Sequence, residues 1–451
     1  MTRRVNIVPH THWDREWYLP FQTFRFRLVG LLDELLGRLA ADPGYAHFLL
    51  DGQMAVVDDY LAVRPEAEAT LRAMATSGRV AMGPWYTLPD EFLVTGETLV
   101  RNLELGLERA AHFGGAMQVG YLPDMFGHVA QMPQILRQFG FSDAVVWRGV
   151  PSGVEQSAFW WRAPDGSTVR AEYLPTGYGN GSALPDDAKE LVAAIADWID
   201  EHRDLLGDNE PILWMNGTDH QTPRPWLGRV VAEANAINDD LHLVVTSLAE
   251  HLRDASRDGL ATVDGELRSG AHANLLMGVT SNRVDVRRAV AVTARALEQL
   301  AEPMHALFAP ADRWPSRLLE EAWLGVIRNA AHDSVCACSD DEVVGAVLHR
   351  YAEARQIAEA ITADALRFVS AQLARDDTVV VNPCARTRSG LVEMTVDDDE
   401  PRDDVQILAY DPARQLLHTI DASGAAVVVR REINLAHGLD RVDIVDHDDG
   451  S

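Results

Sequence analysis

Short apolar runs alternate with longer segments of helical periodicity over residues 1–260. The short runs end at Gly, Pro or Asp, which is typical of buried strands that lead into loops. The longer segments repeat apolar residues at intervals of three or four, which predicts helices with one buried face. The predicted strands cover 5–8, 46–50, 80–82, 118–121, 144–147, 169–173, 212–215 and 243–246, and the helices between them include 24–40, 99–113 and 188–202.

This alternation predicts an α/β fold with a mainly parallel sheet covered by helices. A barrel and a doubly wound layer both fit the pattern. In either architecture, the side chains that carry chemistry collect at the carboxyl ends of the strands. We expect residues 1–270 to form a barrel-like α/β domain with its site at that edge.

The next part of the chain, from residue 283 to 375, shows helical periodicity alone. Helices are expected over 286–300 and 317–331. A third should begin where Ser339 and Glu342 form a capping box, in which the serine accepts from the third amide of the helix. We expect residues 271–375 to form a three-helix bundle.

Beyond residue 376 the pattern changes to short β-type runs separated by acidic and proline-containing turns. Such runs favour an antiparallel layer. We expect residues 376–451 to form a partial β-sandwich domain, with strands over 378–381, 391–396, 405–410 and 426–430.

The net charge of the chain limits the kinds of molecule that it is expected to bind. The chain has 40 basic and 68 acidic residues, a net charge of −28, which argues against nucleic acid and anionic membrane surfaces. Its apolar runs are far shorter than the roughly 20 residues of a membrane span, and we expect a cytoplasmic protein. The acidity fits a salty environment or simple solubility, and the oligomeric state, a homo-oligomer included, stays open.

Candidate chemistry begins directly after the first predicted strand, at His12 and Asp14. In an extended segment, side chains two residues apart share a face, so one metal ion could bind both. The alternative is a histidine with ordinary partners and a surface acid. Acids, histidines and aromatic residues recur at later strand ends, which is typical of carbohydrate sites; they lie at 85–91, 121–128, 147–148 and 216–220.

Two cysteines, Cys336 and Cys338, follow His332 between two predicted helices. The chain has three cysteines in all, so a zinc ribbon is excluded and buried structural thiols are expected. Lys189 lies in a polar, helix-like stretch, which argues against Schiff-base chemistry there.

Taken together, the motifs resemble those of glycoside hydrolase family 38, the retaining α-mannosidases, over roughly residues 5–395. Their order and spacing carry the resemblance, and Trp13, Arg15-Glu16 and Met125 make the chain similar to the bacterial branch, which includes mannosylglycerate hydrolases. The family's barrel, three-helix bundle and β-sandwich domains agree with the predicted order. The motifs are His10-x-His12-x-Asp14, Trp85 to Asp90-Glu91, Asp124-x-Phe126-Gly127-His128 with Met132-Pro133, Trp147-Arg148, Gly217-x-Asp219 and His332-Asp333.

The resemblance implies a zinc site made by His12, Asp14, Asp124 and His332, a ligand set that zinc accepts. Asp124 would also be the nucleophile, kept ionised by the metal. Asp219 would be the acid/base. A retaining enzyme needs the two reacting carboxyls about 5–5.5 Å apart.

The resemblance also implies contacts with the substrate. The residues expected to stack on the sugar, line its subsite, support the ligands or touch the leaving group are Trp17, Phe126, Arg148, Asp90, Asp333 and His220. Other roles stay open for some of them. Asp90 and Glu91 fit a turn and a cap, His220 fits an exposed position, and His10 fits packing behind the site.

We therefore expect a zinc-dependent α-mannosidase that hydrolyses terminal α-mannosides, of oligosaccharide or mannosylglycerate type, through a covalent glycosyl-enzyme intermediate. One alternative is a metal-dependent polysaccharide deacetylase, with Asp124 only a ligand and Asp219 a base. The other is a non-catalytic sugar-binding fragment, because family members usually carry longer β-sandwich regions.

Overall fold

The structure is a computed structural model that describes residues 2–207, 210–371, 381 and 383 and the backbone of five later strands. It divides into two compact units, Met1–Ala294 with Pro315–Ala358 and Arg295–Trp314 with Glu359–Ser451. Among the described residues, no helix is long and apolar enough to cross a membrane.

The strands are β1 (Arg3–Thr11), β2 (Phe48–Leu50), β3 (Val80–Ala81), β4 (Gly120–Leu122), β5 (Asp143–Val146), β6 (Ala158–Arg162), β7 (Thr168–Tyr173), β8 (Ile212–Asn216), β9 (Leu241–Val245), β10 (Thr262–Asp264), β11 (Val392–Met394), β12 (Val405–Asp411), β13 (Leu416–Asp421), β14 (Ala426–Asn434) and β15 (Leu439–Asp446). The helices are α1 (Phe21–Ala41), α2 (Ala55–Leu61), α3 (Glu68–Thr76), α4 (Gly96–Ala111), α5 (Met132–Gln138), α6 (Ala188–Glu201), α7 (Leu227–Ile237), α8 (Leu248–Asp254), α9 (Val284–Ala294), α10 (Glu302–Phe308), α11 (Ser316–Asn329), α12 (His332–Cys336) and α13 (Asp341–Ser370).

β1 is the central strand of the first sheet, and all of its neighbours run parallel to it. One edge of β1 pairs with β8, and the other pairs first with β9 and then, at His10 and Thr11, with β2. The strand is buried from Val5 to Thr11, as expected for a parallel sheet covered on both faces. Its carboxyl end therefore opens between β2 and β8, where loops from both strands can meet it.

The second sheet has the order β10-β6-β7-β5-β4. Neighbours are parallel except β6 and β7, which form an antiparallel pair. The prediction of an α/β fold with mainly parallel strands is thus confirmed, but β6 and β10 were missed. A clear turn signal was overlooked, because Asp165 and Gly166 close a hairpin between β6 and β7 and Gly166 has a φ of +90°.

The predicted capping box at Ser339 is wrong by one residue. The side chain of Asp340 accepts from Glu342 N at 2.9 Å, so Asp340 is the residue that caps α13. The Ser339 hydroxyl instead donates to the carbonyl of Asp333 at 2.8 Å. An aspartate serves at this position as well as a serine does, and the serine here ties down the preceding turn.

The second unit holds a π-helical segment (Arg295–Ala301), α10 and an antiparallel sheet of order β11-β15-β14-β13-β12. Two of these strands, β13 and β15, were not predicted. Of the predicted strand at 378–381, residues 378–380 lie outside the described residues. The barrel, the three-helix bundle, the β-sandwich and the domain limits at 270 and 375 stay predictions.

Candidate active site

Four side chains from distant parts of the sequence converge at the carboxyl end of β1. His12 and Asp14 follow β1, Asp124 follows β4, and His332 begins α12. Asp14 Oδ1 lies 3.2 Å from His12 Nε2 and 3.5 Å from His332 Nε2. Asp124 Oδ2 lies 3.9 Å from His12 Nε2 and 3.6 Å from His332 Nε2. Both imidazoles thus face the same two carboxylates.

The donor atoms of this cluster fit a metal ion. His12 Nε2 and His332 Nε2 are buried, and neither has a hydrogen-bond partner in the part of the chain that the structure describes. A buried polar atom without a partner needs an explanation. Ligand atoms of His12, Asp124 and His332 lie within 4.8 Å of one another. Together with Asp14 they form a nitrogen and oxygen set that zinc accepts.

The pKa values of the two imidazoles indicate that the cluster favours positive charge. Burial alone would lower the pKa of His12, but Asp51 and Asp14 outweigh it and raise that pKa well above its ordinary value. Burial is outweighed at His332 too, by neighbouring carboxylates with Asp333 first, and its pKa rises to about 9. Without a metal, both rings therefore hold protons near neutral pH, and a metal ion would displace those protons.

The carboxylates are shifted in the opposite direction. Burial would raise the pKa of Asp14, but His12 and then His332 hold it far below its ordinary value. Burial also opposes ionisation of Asp124, and the neighbouring His332, with the charges of His12 and Arg148, lowers its pKa nevertheless. Both acids are therefore ionised near neutral pH, as ligands and nucleophiles must be.

His332 reaches the cluster because α12 is tied to the loop that follows β3. Its backbone N donates to the carbonyl of Leu88 at 3.1 Å, and Asp90 N donates to the carbonyl of Ala330 at 2.9 Å. These two bonds join segments some 240 residues apart in sequence. They explain how a residue from the helical part of the chain becomes part of a site at the strand ends.

Arg148 occupies one oxygen of Asp124 and leaves the other free. Its Nε and a terminal nitrogen both lie 2.7 Å from Asp124 Oδ1, whereas Oδ2 faces the imidazoles. The guanidinium lies 4.0 Å from the ring centroid of Trp147 and also donates to the carbonyl of Asn274. Arg148 is therefore fixed on three sides and orients the carboxylate.

A cavity of about 470 Å³ opens over this cluster. Most residues predicted to contact the metal or substrate line it, namely Asp14, Trp17, Asp124, Phe126, Arg148, Asp219 and Asp333. Trp17 is half-buried, and its indole N–H donates to the carbonyl of Cys338 at 3.1 Å. The Phe126 ring stands edge-on to His332 at a centroid distance of 5.4 Å. Both rings are thus held at the wall, where a sugar ring could stack.

Asp90 does not line this cavity. Its Oδ1 accepts from Phe92 N at 2.9 Å and from Leu93 N at 2.7 Å, and the residue is almost fully buried. This geometry favours the turn role that the sequence left open over the predicted substrate contact. Asp90 acts on the site through its backbone, by holding the segment before His332.

His220 is also absent from the cavity lining. Its Nε2 accepts from Asp14 N at 3.3 Å, its backbone N donates to the carbonyl of His12 at 2.8 Å, and its ring packs 4.4 Å from that of Phe24. Neither the predicted leaving-group contact nor the exposed alternative describes this position. His220 lies behind the metal-ligand segment and supports it.

Sequence reasoning missed Tyr178, which contacts the predicted acid/base. Its hydroxyl donates to Asp219 Oδ1 at 2.7 Å, and its ring lies 4.9 Å from that of His12. His10 Nε2 donates to the carbonyl of Tyr178 at 2.7 Å, which agrees with the supporting role expected for His10. A tyrosine in a glycine-rich loop gave no signal of its own. Asp51, beside His12, was missed as well.

The two thiols have the character expected of structural cysteines. Burial raises the pKa of Cys336 and of Cys338, so neither is a thiolate near neutral pH. Cys338 Sγ donates to Asp333 Oδ1 at 3.1 Å. Burial and then Asp14 raise the pKa of Asp333 to about 8.

Comparisons with known proteins relate the chain to one family. Residues 2–264 match the model of the glycosyl hydrolases family 38 N-terminal domain. A relative from Halalkalibacterium halodurans, provisionally named a mannosylglycerate hydrolase, is 34% identical over 392 residues, which are 82% of this chain and 42% of the relative. Human alpha-mannosidase 2C1 is 25% identical over 206 residues, 44% of this chain and 19% of that protein.

Solved structures agree with the sequence matches. The crystal structure of an alpha-mannosidase from Enterococcus faecalis superposes with a TM-score of 0.81 at 28% identity, over 98% of this chain and 54% of that one. The chain thus spans less than two thirds of the length of these relatives.

Proposed function

The chain belongs to glycosyl hydrolase family 38, and from that premise we propose that it is a zinc-dependent retaining α-mannosidase acting on terminal α-mannosides, of oligosaccharide or mannosylglycerate type. The observation that carries the proposal is the convergence of two imidazoles and two carboxylates beneath a cavity walled by Trp17 and Phe126. Because the chain is shorter than its relatives, activity of this chain itself is part of the proposal.

His12, Asp14, Asp124 and His332 would hold the ion. When bound, zinc supplies Lewis-acid stabilisation and a fixed point for oxygen atoms of the terminal sugar. The chain's own contribution is to bring two imidazoles and two ionised acids together in a buried place. The lowered carboxylate pKa values support the ionised state of the acids, and the raised imidazole pKa values mean that each ring would give up a proton when the ion binds.

Asp124 is the proposed nucleophile. Its carboxylate attacks the anomeric carbon, the bond to the aglycone oxygen breaks, and a glycosyl ester forms. Arg148 holds Oδ1 and so fixes the orientation of the carboxylate. The lowered pKa of Asp124 keeps it ionised for this attack.

Asp219 is the proposed acid/base. As an acid it gives its proton to the departing aglycone oxygen, and as a carboxylate it then takes a proton from the water that attacks the ester. Mannose leaves, and Asp124 returns to its starting form. Asp219 is exposed at the cavity, where water can reach it, and Tyr178 holds its Oδ1. Oδ2 is then the oxygen available for proton transfer.

The cavity walls would bind the terminal sugar. Trp17 offers a half-buried indole face, and Phe126 a second aromatic surface on the side of His332. Asp333 lines the same cavity and is available for a sugar hydroxyl. Asp90 and His220 support the site from behind in this proposal.

The decisive assay is release of 4-nitrophenol from 4-nitrophenyl α-mannoside by the purified chain. We expect turnover that a chelator abolishes and added zinc restores. Acetate release from an acetylated polysaccharide without mannoside turnover would replace the proposal with the deacetylase alternative. Mannose binding without either reaction would support a sugar-binding fragment.

A further inference from the structure

Asp51 lies directly behind His12, outside the set of proposed ligands. It follows β2, is fully buried and has a φ of +50°. Its Oδ1 lies 3.1 Å from His12 Nδ1, and its Oδ2 accepts from Trp13 N and from Gln53 Nε2, both at 2.7 Å. Three N–H groups from three different residues therefore converge on one carboxylate.

This arrangement determines which nitrogen of His12 carries a proton. A carboxylate can only accept, so the ring nitrogen that faces it, Nδ1, must donate. In a neutral imidazole the lone pair is then on Nε2, the atom that faces Asp14 and Asp124. Gln53 Nε2 also donates to the carbonyl of Trp13 at 2.7 Å, so the turn beyond His12 is fixed on two sides.

We propose that Asp51 is a positioning residue: it fixes the ring orientation and the tautomer of His12, so that Nε2 is presented to the metal. The inference rests on the proposed function, in which His12 is a ligand. It concerns the affinity for zinc rather than the chemistry on the sugar. Carboxylates that orient ligand histidines typically change metal affinity 10–100-fold when removed.

The substitution Asp51→Asn separates orientation from volume, because an amide has one acceptor oxygen and one NH₂ group. Trp13 N and Gln53 Nε2 are both donors, so the amide oxygen of the variant takes the place of Oδ2 and accepts from them. The NH₂ group then faces His12 Nδ1, which must accept, and the proton moves to Nε2. A wrong tautomer of this kind can disable a histidine while the fold stays intact.

The test is a zinc titration of the metal-stripped protein against a chromophoric chelator. We expect the dissociation constant for zinc to rise about 10- to 100-fold in Asp51→Asn. The matched control is Glu91→Gln, because Glu91 accepts from His128 Nδ1 at 2.6 Å and Val129 N at 2.9 Å, away from the proposed ligands. The control should stay within about threefold of wild type. Equal affinity in Asp51→Asn and wild type would overturn the inference, as would an equal loss in Glu91→Gln.

A second variant tests the role if the amide perturbs folding. Asp51→Gly suits the positive φ and leaves a space the size of the lost carboxyl group. We expect weak zinc binding that formate restores, because a free carboxylate can occupy that space and accept from His12 Nδ1. Failure of this variant to fold in saturating zinc, or absence of any formate effect, would contradict a positioning role.

These readouts separate the inference from the proposed function. Mannoside turnover does not enter the zinc titration, so an inactive chain can still confirm or overturn the role of Asp51. A wild-type chain that binds no zinc would refute both.

Discussion

Two buried histidine–carboxylate pairs in this chain share the same contact at Nδ1 and differ in what surrounds Nε2. His12 Nδ1 lies 3.1 Å from Asp51, and His128 Nδ1 lies 2.6 Å from Glu91. In both rings Nε2 is buried without a hydrogen-bond partner among the described residues. Nε2 of His12 faces the carboxylates of Asp14 and Asp124, and the His332 ring lies beside the His12 ring. The His128 ring instead packs against Trp161, with 5.6 Å between the ring centroids.

The difference teaches that a histidine–carboxylate pair is not itself a metal site. Pairing fixes a ring, and the groups that meet the second nitrogen decide what the ring can do. The metal-capable groups found among the described residues include His12 but not His128. His128 exchanges two backbone hydrogen bonds with Leu267, at 2.8 and 2.9 Å, and so anchors the loop that follows Asp124.

The strongest test of this comparison removes one of the acids that only His12 meets. In Asp124→Asn we expect turnover of 4-nitrophenyl α-mannoside to fall about 10⁴-fold or more, because the proposed nucleophile is gone. The protein should still fold, with a lower thermal midpoint without metal, because Arg148 loses its charged partner. Asp264→Asn, at an exposed ion pair with Arg162, is the matched control and should keep the wild-type rate. An Asp124→Asn chain that keeps that rate would contradict the assignment of Asp124 as the nucleophile.

The second test removes the second imidazole. His332→Ala should weaken zinc binding about 100-fold or more, because a ligand is lost outright. Atomic emission after gel filtration should find less than one tenth of the wild-type zinc content. His305→Ala, a buried histidine of the second unit, is the control and should leave zinc binding unchanged. Unchanged zinc content in His332→Ala would contradict the assignment of four ligands.

A third test uses pH. Zinc can bind His332 only after its proton leaves, and its pKa is about 9 in the metal-free protein. Below that pH the proton competes with zinc, so the apparent affinity should fall as pH falls, by about tenfold per unit for each proton released. Isothermal titration in buffers of different ionisation heat counts the protons. A zinc affinity that is flat between pH 6.5 and 8.5 would contradict the raised pKa.

The smallest expected effect on zinc affinity comes from a change in the His128–Glu91 pair. His128→Leu leaves the buried Glu91 carboxyl without its ring partner, which should cost about 1–3 kcal/mol of stability. Zinc affinity should stay within about threefold of wild type. Differential scanning fluorimetry and the zinc titration measure the two quantities on one sample. A large loss of zinc binding with no loss of stability would reverse the roles assigned to the two pairs.

The rule that chemistry collects at strand ends located much of this site from sequence. His12, Asp14, Asp124 and Asp219 each follow a predicted strand. Parallel pairing joins the strands before His12 and Asp219, β1 and β8, whereas Asp124 follows β4 of the second sheet. His332 could not be placed by that rule, because it follows a helix. Its position depends on backbone bonds to the segment of residues 88–90, and hydrophobic patterns do not encode such bonds.

Other features of the site escaped prediction for different physical reasons. Asp51 follows a predicted strand too, but aspartate before glycine is an ordinary turn signal, and its role depends on atoms of three other residues. Tyr178 touches Asp219 from a loop without periodicity. The resemblance implied a leaving-group contact for His220, and for Asp90 either a contact with the sugar or support of the ligands. Neither side chain lines the cavity.

The central claim is that four side chains, and not the histidine–carboxylate pair alone, create the metal site. A crystal structure of the zinc-soaked protein, with anomalous data at the zinc edge, tests it most directly. We predict one strong anomalous peak about 2.0–2.2 Å from His12 Nε2, Asp14, Asp124 and His332 Nε2. A peak at His128 instead, or none at the four ligands in a crystal grown with excess zinc, would contradict the account.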